Sequence, residues 1–84
     1  MNNTGGLNTT GCGLNADATG NASSAFGNSS TAAGAGTVAV GNNSNAQLNG
    51  SVAVGSISNA TGNFSTAVGN NSSALGQGLS LIHI

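Results

Sequence analysis

The sequence predicts an all-β fold, a solenoid with two short strands per coil, and three observations predict it. A glycine recurs every seven residues, at Gly6, Gly13, Gly20, Gly27, Gly34, Gly41, Gly55, Gly62, Gly69 and Gly76, with Leu48 as the one break. Alanine holds position five of all nine units from Leu14 to Gly76, when the glycine is counted as position seven. Positions four and six alternate between apolar and polar pairs from one unit to the next, so the full period is fourteen residues.

The units from Leu14 read LNADATG, NASSAFG, NSSTAAG, AGTVAVG, NNSNAQL, NGSVAVG, SISNATG, NFSTAVG and NNSSALG. A helix is excluded first. Glycine inside a helix costs about 0.8–1 kcal/mol relative to alanine, and here it returns in every unit. A coiled coil needs large apolar a and d residues and usually charged e and g residues, and neither set is present. Each unit is instead a short strand followed by a turn. Alternate residues of a strand point to opposite faces. Positions three and five therefore share a face, and it is small throughout. Ala18, Ala25, Ala32, Ala39, Ala46, Ala53, Ala60, Ala67 and Ala74 line it together with Ala16, Thr37 and a run of serines. Two walls can approach closely across such a face, so it is placed inside.

The other face, positions four and six, is placed outside on both walls. One wall carries Ser24/Phe26, Val38/Val40, Val52/Val54 and Thr66/Val68, preceded by Cys12 at position six of LNTTGCG. The opposite wall carries Asp17/Thr19, Thr31/Ala33, Asn45/Gln47, Asn59/Thr61 and Ser73/Leu75. The first is apolar and β-branched, the second mainly polar. Glycine and the Asn or Ser after it are assigned to the turns, because both tolerate positive φ. The turn at Leu48 is expected to be irregular. An uncovered apolar stripe on a sheet implies a partner.

Composition closes off other classes. Gly, Asn, Ser, Ala and Thr dominate, a pattern that ordinarily means disorder, but chance does not produce this period. The 84 residues include no Lys or Arg, one acidic residue (Asp17), one histidine (His83), one cysteine and no proline. Nucleic-acid affinity rests on Lys and Arg, so none is expected. A membrane-surface helix needs a basic face, and no apolar run is long enough to span a bilayer. The opening MNNTGGLN lacks the basic and apolar regions of a secretory signal. A single carboxylate leaves no acid–base pair, the hydroxyls have nothing to activate them, and no metal-ligand set is visible. The chain is read as neither an enzyme nor a cofactor protein.

The stretches TVAVGNNSNA, SVAVGSISNATG and STAVGNNSSALGQG resemble the head repeats of YadA-like trimeric autotransporter adhesins, also called Hep/Hag repeats. The resemblance covers Gly13 to Gly76. It implies a left-handed parallel β-roll and a side-by-side homotrimer. Cys12, Phe26, Val38, Val40, Val52, Val54 and Val68 would face the trimer core. It also implies the surface-exposed head of a Gram-negative outer-membrane adhesin that binds host matrix or cell-surface ligands. Leu48 departs from the pattern, as does the absence of Lys and Asp from the turns. A virion fibre, such as a phage tail fibre, is the alternative. An ice-binding wall would want a regular Thr ladder, and the column Thr19, Ala33, Gln47, Thr61, Leu75 is not one.

Three smaller features complete the reading. Cys12 has two readings, a small apolar core residue near the threefold axis or an interchain disulfide. The Asn-x-Ser/Thr triplets are by-products of Asn at position one and Ser at position three. Ile57 and Phe64, at position two, either contact a ligand or fold over the wall ends. The last residues, LSLIHI, break the pattern, with Leu81 where Ala and His83 where Gly is due. They match a translation of CTG TCT CTT ATA CAC ATC, which resembles the end of a transposase-based sequencing adapter. Residues 1–78 are therefore read as the repeat segment and 79–84 as read-through that is not native.

Overall fold

The computed structural model describes residues 7–83. The repeat glycine Gly6 and the MNNTGG start lie outside them. Strands β1 (Thr10–Cys12), β2 (Asp17–Ala18), β3 (Ser24–Phe26), β4 (Thr31–Ala32), β5 (Val38–Val40), β6 (Asn45–Ala46), β7 (Val52–Val54), β8 (Asn59–Ala60), β9 (Thr66–Gly69), β10 (Ser73–Ala74) and β11 (Ser80–His83) follow one another without a helix. Odd-numbered strands form one six-stranded sheet, ordered β1-β3-β5-β7-β9-β11. Even-numbered strands form a five-stranded sheet, ordered β10-β8-β6-β4-β2. All pairs are parallel, and each residue pairs with the one fourteen later, as in Cys12↔Phe26↔Val40↔Val54↔Val68 and Ala18↔Ala32↔Ala46↔Ala60↔Ala74. This is the parallel two-strand β-solenoid that the fourteen-residue period predicts.

Among the described residues the core holds no large side chain. Ala18, Ala25, Ala32, Ala39, Ala46, Ala53, Ala60, Ala67 and Ala74 are all 0% exposed, and Thr37 is the largest fully buried residue. The least dimension of the molecule is 11 Å. Close packing therefore comes from uniform smallness rather than interdigitation of large groups. The buried hydroxyls other than that of Ser51 are satisfied locally. Ser23 Oγ donates to the Gly20 carbonyl at 2.6 Å, Thr37 Oγ1 to Gly34 at 2.8 Å and Ser65 Oγ to Gly62 at 2.7 Å. Ser30, Ser44, Ser58 and Ser72 make the same bond to Gly27, Gly41, Gly55 and Gly69.

The turns stack as tightly as the walls. The position-two N–H donates to the position-one carbonyl of the preceding coil, as in Ser29 to Leu14 (2.9 Å), Ile57 to Asn42 (2.9 Å) and Asn71 to Ser56 (2.8 Å). In most turns the position-three N–H bonds the position-seven carbonyl, for example Ser23 to Gly20 at 3.2 Å. The residue carrying φ near +60° is position two: Asn8, Asn15, Ala22, Ser29, Asn43, Ile57, Phe64 and Asn71, with Gly36, Gly50 and Gly78 between them. A positive φ at the third turn residue is the mark of a type II turn. The sequence places the turn one residue early, on the glycine and its successor. The expected irregularity at Leu48 is corrected as well. The Ser51 N–H bonds the Leu48 carbonyl at 3.1 Å and Gly50 takes φ +69°, as in the other turns. Only the Ser51 hydroxyl differs, being buried without a partner.

The glycines serve two purposes. Gly13, Gly27, Gly41 and Gly55, which follow odd strands, and Gly69, which ends β9, have φ of 124–130°. Gly20, Gly34 and Gly62 follow even strands and have no positive φ. A Cβ on any of these three would strike the backbone of the next coil, at 2.5 Å from the Leu48 carbonyl carbon in the case of Gly34. At Gly76, in the last coil, the space opposite is open enough for ordinary contact with Leu79. Gly34→Ala is therefore expected to lower the melting temperature more than Gly36→Ala. Gly36 has φ +69° but nothing within 4 Å of the added carbon, so it pays only the left-handed penalty of roughly 1–2 kcal/mol. Thermal melts of the two variants make the comparison.

Ile57 is a β-branched residue at φ +59°, a conformation such residues rarely hold. Ile57→Asn is expected to stabilise the fold by about 1 kcal/mol, read from the shift in the melt. Phe64, at φ +58°, recovers part of its strain. Its ring lies over Gly50 of the coil below, where an added Cβ would meet Cδ1 at 2.6 Å.

Candidate functional surfaces

The six-stranded sheet presents two outward columns. Position six stacks Cys12, Phe26, Val40, Val54, Val68 and Ile82; position four stacks Thr10, Ser24, Val38, Val52, Thr66 and Ser80. β-Branched and aromatic residues favour this pleated surface, and these strands run to three or four residues against two on the opposite wall. Val38, Val40, Val52, Val54 and Val68 are half-buried. Phe26 is 40% exposed and Cys12 is an exposed free thiol. Among the described residues no large apolar side chain is buried between the walls, and the valines of this sheet stand on its outer face. β11 extends it by pairing Leu81 with Ala67 and Ile82 with Val68. Leu81, standing in an inward alanine column, remains 40% exposed because the slot there ends.

The five-stranded sheet presents Asp17, Thr31, Asn45, Asn59 and Ser73 in its position-four column. Beside that column the turn residues Ser29, Asn43 and Ile57 rise one coil above another, and the two rows enclose a groove of about 350 Å³ lined also by Gln47. On this wall the side-chain oxygens Asn45 Oδ1 and Asn59 Oδ1 are buried and have no hydrogen-bond partner. The groove escapes a reading of the sequence because its two rows are far apart within a unit and meet only when turns overhang the wall.

Corner asparagines link the coils. Asn21 Oδ1 accepts from the Leu7 N–H at 3.0 Å and Asn49 Oδ1 from the Ala35 N–H at 3.1 Å. The Asn-x-Ser serines at positions 23, 30, 44 and 65 are buried and bonded as described above. Among the described residues no group of three His, Cys, Asp or Glu is placed to hold a metal ion. No helix among them is long and apolar enough to cross a membrane.

A family model described as the YadA head domain repeat matches in two copies, over residues 18–44 and 49–72. The break between the copies contains Leu48, the one position where the repeat glycine is replaced. No curated protein and no solved structure matches the chain.

Proposed function

Because this chain belongs to the YadA head-repeat family, we propose that it is a segment of the head of a trimeric autotransporter adhesin. Three copies pack side by side through the stripe of Phe26, Val40, Val54 and Val68. The head is carried on the outer surface of a Gram-negative bacterium and attaches it to host matrix or host cells without catalysis. One observation carries the reading. Among the described residues the core between the walls is built of small residues, Ala, Ser, Thr and Gly11, while the valines and Phe26 stand outside it on one wall. Apolar surface removed from water is worth roughly 25 cal/mol per Å², and a second chain packed on this face gains it. Repeated shallow contacts on a trimer then add through avidity.

Residues 1–78 are the adhesin segment in this reading, and 79–84 stand apart from it. Sequencing the gene beyond both ends at its source tests the reading. A coiled-coil stalk and a C-terminal strand-rich membrane anchor are expected, with the repeat continuing past Gly78 in place of LSLIHI. Neighbouring virion genes and no anchor would overturn it in favour of a fibre protein.

A further inference from the structure

We propose that the groove on the polar wall binds an uncharged glycan. The inference rests on the adhesin reading in one respect, that the apolar wall is turned inward and the polar wall faces out. The groove runs across three coils between the column Thr31, Asn45, Asn59 and the overhanging Ser29, Asn43 and Ile57. Its backbone groups are already engaged. The Thr31 N–H donates to Ser44 at 2.8 Å, that of Asn45 to Ser58 at 2.9 Å and that of Asn59 to Ser72 at 2.9 Å. A peptide adding as a strand finds no ladder here, so recognition falls on side chains. Two of them hold buried acceptors without partners, Asn45 Oδ1 and Asn59 Oδ1. A buried acceptor left unpaired costs about 1–3 kcal/mol, and a ligand that donates to it recovers that cost. Rotation of each amide about its last torsion brings the oxygen to the groove and turns Nδ2 away, so each asparagine then offers the ligand an acceptor.

Charge and shape narrow the ligand class. The chain contains no Lys or Arg, and its one acidic residue, Asp17, lies two coils below Asn45 in the column. Nothing compensates a sulfate, phosphate or carboxylate, so charged glycans and acidic peptides are excluded. Hydroxyl groups donate to the amide oxygens and accept from the hydroxyl hydrogens. Ile57, 52% exposed on the rim, supplies an apolar surface for the C–H face of a sugar ring.

The test is equilibrium binding of the full chain to oligomers of glucose, galactose and N-acetylglucosamine, with sulfated and sialylated oligomers alongside. Saturable binding of a neutral oligomer that does not change with salt is expected. Asn45→Thr combined with Asn59→Thr copies Thr31 of the same column and should keep the circular dichroism and melt. It is expected to weaken binding roughly tenfold, the equivalent of one to two hydrogen bonds. Ile57→Asn is expected to weaken binding while raising the melting temperature, a pair of changes that a purely structural role cannot give. Absence of binding by every neutral oligomer overturns the proposal, as does preference for charged ones or full affinity in the Thr variant. Molar mass measured on the same samples separates the two readings. A trimer without binding defeats the glycan alone, and a monomer that binds defeats the trimer alone.

Discussion

Replacing Ala53 with leucine is expected to abolish the cooperative β-sheet melt. Ala53 is 0% exposed in the centre of β7, flanked in its column by Ala39 and Ala67. The inner layer accepts nothing larger than Thr37, so the added carbons can enter only by forcing the walls apart. Overpacking in ordinary cores costs about 1–3 kcal/mol and sometimes more. Here relief requires both ladders to break, and the uniform coils offer no flexible side chain to move aside. Val52→Leu, one residue away and pointing outward, should keep the fold. Far-UV circular dichroism during heating checks both variants. A melt of Ala53→Leu close to the parent would show that the interior is looser than its Ala and Ser lining implies.

The double substitution Val40→Asp with Val54→Asp is expected to convert a trimer into monomers. Both valines lie in the position-six column of the apolar wall, one coil apart. Two carboxylates in each of three chains would be buried side by side, and an unpaired buried charge costs several kcal/mol. The same pair placed on the other wall, at Asn45 and Asn59, should leave the mass unchanged. Molar mass by light scattering distinguishes these outcomes.

Much of the fold is legible because the repeat writes it many times over. Alanine at position five and Ser, Thr or Ala at position three define an inner face that no other strand register allows. The alternation of Val38/Val40 with Asn45/Gln47 separates the walls. What the sequence conceals depends on contacts fourteen residues away. Gly20, Gly34 and Gly62 look like turn residues, yet the backbone of the next coil is what excludes their Cβ. The left-handed residue is position two, where Asn and Gly give the signal and Ala22, Ile57 and Phe64 hide it. Leu48 breaks the written pattern without breaking the turn, since backbone hydrogen bonds to Ser51 close it regardless of the side chain. The groove beside Asn45 and Asn59 belongs to neither strand nor turn but to their stacking.

The account turns on which wall meets the other chains, and Cys12 allows this to be measured directly. It is a free, exposed thiol at position six of the apolar wall and the one cysteine of the chain. A spin label on Cys12 reports distances between chains by pulsed electron paramagnetic resonance. A second sample, Cys12→Ser with Thr19→Cys, carries the label on the polar wall. Short distances from Cys12 and longer ones from position 19 are the predicted result. The reverse order, or no interchain distance at all from Cys12, would contradict a trimer built on the valine stripe.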